Sequence, residues 1–349
     1  MADSVPHRVS SGGAVGRVLD DGRLHLQHGP IDLIIGIDGE PGAIEAAHRR
    51  AWSAFEPLLA GLVAHVPALR RELPWRASRQ PSGGATDGRS DAASGGSAVA
   101  DGRPGAARGL SDLAHTAPEP AIAGDAPGDR VARMMIAACW PHRHLRLTPM
   151  AAVAGSVAAM VCDAIACESW SGAAQEGRAG TGRPVAAAPG IVRAWVNNGG
   201  DIAAFLSEGT ELRVAVAGGG DTGAPVVIGA HDPVRGIATS GRHGRSFSLG
   251  IADAVTVLAA DAPAADAAAT LIANAVNLES GPIERRPARE LAPDSDLGER
   301  LVTVAVGPLR RRQVEDALSA GAALACAMID QGLIVSARLA LQGQVRVAG

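Results

Sequence analysis

Three stretches of this 349-residue chain concentrate side chains able to hold an anion or a cation. The first is WVNNGGDIA, residues 195–203, where Asn197, Asn198, Gly199, Gly200 and Asp201 stand between apolar neighbours. Adjacent glycines strip two side chains from the surface and admit positive φ, so amides can converge on an oxygen or a flat ring can lie against backbone. The same string is also a hairpin turn, because Asn-Gly suits left-handed turn positions. Spacing alone leaves both readings open.

The second stretch is GIATSGRHGRSFSLGIAD, residues 236–253. Thr239, Ser240 and Gly241 lead into Arg242, His243, Gly244 and Arg245, gathering hydroxyls, exposed amides and two guanidiniums that suit a phosphate or carboxylate. The alternative is a glycine turn with solvated arginines and His243 as a bystander. In the third, VTVLAADAPAADAAATLIANAV, Asp261 can cap a helix and Pro263 fits its first turn. Asp266 and Thr270 then share one helical face, offering hard oxygens of the kind Mg²⁺ takes. Asp266 can equally complement the helix dipole, and Thr270 can bond back to a carbonyl.

Composition removes other chemistries. All 32 basic residues are arginine, so a lysine Schiff base and a P-loop are excluded. The net charge of −4 and the lack of an aromatic-rich basic tract argue against nucleic acid. Cys139, Cys162, Cys167 and Cys326 form no zinc ladder and read as reduced, mostly buried thiols. His142 and His144 in PHRHL lack a third ligand and read as a surface loop. The Arg310–Arg312 run is a solvated face, and no GxSxG or Cys/His dyad names a nucleophile, so no catalytic residue is assigned. The N-terminus lacks the pattern of a secretory signal, which places the chain in the cytoplasm. The apolar run of residues 150–167 contains Asp163 and is rich in Ala and Gly, as in a buried helix rather than a membrane span.

The positioning elements are legible as pattern. Residues 14–36 alternate apolar and polar side chains around Asp21-Gly22, a hairpin followed by a third strand. Residues 41–66 carry a helical stripe with a kink at Pro57, and helices follow at 130–138 and after Pro149. Short strands are expected at 193–196, 202–206, 212–217, 226–229, 236–239 and 254–259, helices at 264–276 and 309–331, and closing strands at 333–341 and 345–347. Strands clustering before helices without strict alternation indicate an α+β fold with largely antiparallel sheets and packed helices. Residues 77–128 are too poor in large apolar side chains to fold and read as a disordered insertion between 14–76 and 129–349, parts of one domain. No internal repeat of convincing period is visible.

Taken in order, HGPIDLI, TPMAAVAG, VNNGGDIA, GIATSGRHGRSFSLGIAD, ADAAAT and PDSDLG resemble ApbE-like proteins, closest to a UPF-type sister group, over nearly the whole chain except the insertion. The resemblance implies a T-fold-related architecture. Better-understood relatives are FAD:protein FMN transferases, which use Mg²⁺ and FAD to attach FMN to a threonine or serine of a target protein. It implies Asp266, Thr270 and the carbonyl of Val153 or Ala154 as metal ligands, with FAD or FMN as cofactor and an acceptor protein as partner. The sequence departs from that pattern: Ala154 replaces the usual lysine, a His-x-x-Asp-Pro motif is missing from the short loop that keeps Asp253, and aromatic residues are scarce. Three functions follow: a Mg²⁺-dependent flavin-binding transferase, a noncatalytic accessory that binds a phosphate- or carboxylate-bearing ligand, or an oligomeric scaffold whose glycines are only turns. The first two require residues 197–201, 239–245 and Asp266 to meet in one cleft.

Overall fold

The computed structural model describes residues 8–9, 12–73, 122–168, 170, 187–216 and 225–349. Most of the expected insertion lies outside the described residues, while its last two, Pro127 and Gly128, already belong to a helix. The first strands are β1 (Arg8–Val9), β2 (Val15–Val18), β3 (Leu24–His28) and β4 (Ile31–Gly39), with the expected hairpin between β2 and β3. Next come α1 (Pro41–Phe55), α2 (Leu58–Leu69), α3 (Pro127–Cys139) and, after two 3₁₀ turns, α4 (Val153–Ala166). Proline at 57 ends one helix and begins another rather than kinking a single one, since it cannot bond back to the preceding turn.

The chain continues through β5 (Ile191–Asn198), β6 (Asp201–Leu206), β7 (Glu211–Val214), β8 (Val226–Gly229), β9 (Gly236–Ser240) and β10 (Ala254–Ala259). After α5 (Ala262–Ala275) come β11 (Ile283–Pro287), α6 (Ala288–Leu291), β12 (Leu301–Val306), α7 (Arg311–Asp330), β13 (Ser336–Leu341) and β14 (Gln344–Ala348). The β11–β12 hairpin has no counterpart in the sequence reading. Its second strand, LVTVAV, has the right composition, but IERRP is charged and barely apolar.

Ten strands form one antiparallel sheet in the order β1-β2-β3-β4-β5-β6-β9-β10-β13-β14, so the fold is α+β. The order repeats a plan: β3–β4, helices, then β5–β6, and again β9–β10, helices, then β13–β14. The two halves meet where β6 pairs with β9 over Ile202↔Ile237 and Ala203↔Gly236, with one further bond from the Ala204 amide to the Arg235 carbonyl at 2.9 Å. That repetition lives in topology, not in side chains, which is why the sequence shows no period.

Helices cover one face. Trp52 of α1 lies over Gly16, and Gly321 of α7 lets Leu339 and Val276 approach closely. The opposite face is covered at its centre by β7–β8, whose Leu212 and Ile228 pack with Ala204, Leu206 and Ile237. Residues 149–166 meet the length and hydropathy of a membrane span, yet two-thirds of them are buried, as expected of a core helix. Cys139, Cys162 and Cys167 are buried and Cys326 is exposed, none of them in a disulfide. PHRHL is not a surface loop: it forms a 3₁₀ turn that buries His142, whose imidazole is pushed down to about 4 by burial and then by His144. A buried neutral imidazole was invisible because the flanking prolines suggested only irregular chain.

Candidate functional site

The turn between β5 and β6 is Gly199-Gly200, with φ of +67° and +115°. Positive φ at both positions is what a tight hairpin with native strand twist requires. Asn197 Oδ1 accepts from the Gly200 amide at 2.8 Å, closing the turn on its own side chain. The turn reading therefore holds. Asn198 and Asp201 are direct cross-strand partners, and both are buried. Asn198 Nδ2 donates to the Ala154 carbonyl of α4 at 3.1 Å. Its Oδ1 is buried with no partner.

Asp266 comes to the same place from α5. Asp261 caps α5 as expected, its Oδ1 accepting from the Ala264 amide at 2.8 Å, and this sets the phase of the helix. Asp266 then faces α4: its Oδ2 accepts from the Gly155 amide at 2.9 Å, and the Ala154 amide adds to the bond. Ala152, at the cap position of α4, offers no side-chain acceptor of its own. Asp266 therefore satisfies the start of a neighbouring helix rather than the dipole of its own. At the other end of α4, Arg50 donates to the Ala164 and Ile165 carbonyls, so both ends are capped from outside. Gly155 makes the approach possible, since a Cβ there would run into the Ala262 carbonyl and come to 2.9 Å of Asp266 Cβ. Thr270 stands half-buried one turn further along α5.

The Thr239–Arg245 loop supplies less than its composition suggested. The Thr239 amide donates to Asp201 Oδ1 at 3.3 Å. Its hydroxyl instead meets Thr256 at 2.9 Å across β9 and β10. Strand alternation puts that hydroxyl on the face of Ile237, away from the helices, and Ser240 on the helix face with Ala238. Gly241, at φ +152°, presses its backbone on the Asp253 carbonyl. Arg242 is committed: its guanidinium holds Asp253 at 2.7–2.8 Å, while the second Asp253 oxygen accepts from the Gln342 amide at 2.6 Å. Expecting an anion on Arg242 is thus corrected, because a guanidinium neutralised in place has little charge left to offer. His243 is exposed, 3.5 Å from the same carboxylate. Arg245 is different. It lies flat against Gly199, where any Cβ would collide with it, and its charge acts on Asp201.

Three residues that hold the site, Thr148, Asp296 and Asn274, were missed. Thr148 Oγ1 donates to Asp296 at 2.8 Å, tying TPMAAVAG to PDSDLG. Asn274 accepts from the Leu249 amide at 2.9 Å and anchors the loop beyond Arg245 to α5. The motifs themselves were the available signal for Asp296; Asn274 carried none. Among the described residues, no three His, Cys, Asp or Glu side chains gather at metal distance. The donors here are two carboxylates and neutral oxygens. A separate cavity of about 20 Å³, room for one water, is lined by Asp163, Asp261, Arg235 and Phe205.

Electrostatics follow from burial. Burial pushes the Asp201 carboxyl up to about 7, opposed by the Thr239 amide and by Arg245. Asp266 is held well above the ordinary range by burial and then by the charge of Asp201. At these two carboxyls the folded chain binds more protons than the unfolded chain, whose aspartates titrate near 3.8, and the stability Asp201 contributes in this way is lost as pH rises from about 4 to about 7. Asp201→Asn removes the Asp201 share of that loss. The melting temperature of the variant minus that of the wild type should grow through this window and level off above it, with His142 cancelling in the difference. A flat difference would show that Asp201 does not titrate there.

The profile of the family described as AbpE bacteria matches residues 16–94, 107–174 and 181–347, which include every element of this site. The chain belongs to that family. The resemblance to ApbE-like proteins read from the motifs is borne out. A UPF0280 protein of Methanothrix thermoacetophila is 33% identical over 156 residues, 44% of this chain and 56% of its own length. One from Methanosphaerula palustris is 39% identical over 132 residues, 37% of this chain and 46% of its own length. The chain spans about half the length of the curated relatives it matches. Among solved structures, apo flavinyl transferase ApbE of Pseudomonas stutzeri is similar at a TM-score of 0.32 and 13% identity, over 100% of this chain and 96% of that one. Within the AbpE bacteria family, this member therefore places Asn198, Asp201, Asp266, the Ala154 carbonyl and Arg245 around one seam between its two half-sheets.

Proposed function

We propose that this chain is a cytoplasmic protein that binds a flavin dinucleotide with Mg²⁺ at the seam and transfers its FMN part to a hydroxyl of an acceptor protein. Family membership supports the class, and the convergence of buried oxygens beside a guanidinium supports the site. The observation that carries most is the unsatisfied Asn198 Oδ1 beside two buried carboxylates, a donor set that fits a hard cation. Asp266, Thr270 and the Ala154 carbonyl would hold that cation. When bound, it supplies charge neutralisation as the bond to AMP breaks.

The chain's own groups do the rest. Bare backbone at Gly200 admits the ligand, and the Arg245 guanidinium lying on Gly199 offers a fork of donors to a phosphate. Phe247, exposed in the same loop, presents a ring for stacking. In the transfer, the acceptor oxygen forms a bond to the FMN phosphorus, the phosphorus–oxygen bond to AMP breaks, and the hydroxyl proton passes to solvent.

A second reading, binding without transfer as an accessory to a partner enzyme, is favoured by one observation. Asp253, the carboxylate retained in the short loop, has one oxygen held by Arg242 and the other by the Gln342 backbone amide. Calorimetry of FAD with and without Mg²⁺, together with chromatography for AMP in the presence of threonine-bearing acceptor peptides, separates the two. Mg²⁺-dependent binding with AMP release supports transfer, and binding without release supports the accessory. Absence of both returns the glycines to turns in a scaffold. Arg245→Ala should weaken FAD binding by about 10- to 100-fold, the worth of a charge-assisted pair. An unchanged affinity would remove Arg245 from the site.

A further inference from the structure

The ligands that the family resemblance implies, Asp266, Thr270 and the Ala154 carbonyl, all come from α4 and α5. Two further groups face them from the β5–β6 turn. Asp201 is 9% exposed and lies directly across the strands from Asn198, which reaches the Ala154 carbonyl, so two buried carboxyls share the seam and the charge of one acts on the other. Asn198 is 4% exposed, and its orientation is settled by chemistry: Nδ2 donates to the Ala154 carbonyl, and a flipped amide would set oxygen against oxygen. Its Oδ1 is thereby left without a donor in a buried place shared with two carboxylates.

Asp201 also keeps an oxygen in reserve, since the backbone bond found on it uses Oδ1, while Asp266 accepts from the Gly155 amide on Oδ2 and from the Ala154 amide. The chain has no lysine to intervene, and the guanidinium that acts on Asp201 is that of the exposed Arg245. Two buried carboxyls beside an orphaned amide oxygen can give up their protons only where a positive charge takes their place. All the donors are oxygens, which selects Mg²⁺ or Mn²⁺ over zinc or copper.

We infer that Asp201 and Asn198 Oδ1 are cation ligands alongside Asp266, so that the seam holds a two-carboxylate divalent site that fills without any flavin. This deepens the proposed function at the cation, and rests on it only for the choice of place. Its test needs no flavin. Full-length protein is titrated with MnCl₂ alone, read by electron paramagnetic resonance, and Mg²⁺-dependent hydrogen exchange is followed in the wild type.

Expected results are one Mn²⁺ site, weakened at least about tenfold in Asp201→Asn and unchanged in the exposed-face control Asp32→Asn. Mg²⁺ should slow exchange together in peptides covering residues 196–203, 153–157 and 262–270. The exchange experiment uses no variant, so it stands even if Asp201→Asn fails to fold. Protection at α4 and α5 with none at the β5–β6 turn would overturn the inference, as would unaltered Mn²⁺ affinity in folded Asp201→Asn. Absence of cation binding without flavin overturns it too. In each of those cases, AMP release from FAD would leave the proposed function standing.

Discussion

Gly155→Ala should lower the melting temperature sharply and, in the same step, abolish the response to cations. The added methyl would meet the Ala262 carbonyl and Asp266 Cβ, and the first of these is backbone of a packed helix that cannot rotate away. Overpacking of this kind costs about 1–3 kcal/mol or more, and each kcal/mol moves the midpoint of a chain this size by roughly 2–4 °C. The damage is not only global. Parting α4 from α5 breaks the bond from the Gly155 amide to Asp266 and carries the Ala154 carbonyl away from Asn198. Gly42→Ala in α1 is the contrast, because nothing lies within 4 Å of its added carbon. That change should be neutral or stabilise by about 0.5–1 kcal/mol. Thermal unfolding by circular dichroism decides the matter. Equal midpoints for the two variants would mean that α4 and α5 are not in contact at Gly155.

Two substitutions at Asp266 should part the structural role of that residue from its role toward a cation. The Asp266 carboxylate accepts the buried amide of Gly155 at the start of α4. Alanine strands that amide, at a cost of about 1–3 kcal/mol. Asparagine keeps an acceptor while removing a buried charge that Asp201 opposes, so Asp266→Asn should match or exceed the wild type in stability at pH 8. Both variants should lose the Mg²⁺-induced rise in melting temperature. If Asp266→Asn keeps that rise, its carboxylate does not hold the cation, and if Asp266→Ala is as stable as Asp266→Asn, the capping bond is worth nothing.

Sequence carried the local structure well and the long-range partnerships poorly, for a physical reason. The β5–β6 turn, the Asp261 cap and the strands on either side of Thr239 depend on residues within a few positions of one another, and pattern reads these directly. Arg242 illustrates the limit: composition advertised a free guanidinium, while its partner Asp253 waits eleven residues on, beyond a loop. Asp266 is a sharper case. Spacing put it on a helix face with Thr270, but its acceptor role toward an amide 111 residues earlier follows from how two helices cross. Thr148 and Asp296 are 148 positions apart, and only motif order hinted that they matter together. His142 went astray because prolines on both sides look like loop whether or not the fold buries them.

Strand pairing at the middle of the sheet amounts to two residue pairs between β6 and β9, with β4–β5–β6 on one side and β9–β10–β13 on the other. So slender a stitch leaves much of the cohesion between the half-sheets to α4, packed on β5 and β6, and to α5, packed on β9 and β10. A guest gripping both sides acts as a rivet. Its binding energy and the work needed to pry the molecule open along that line are then one quantity, which a pulling experiment reads as a rupture force that climbs with guest concentration.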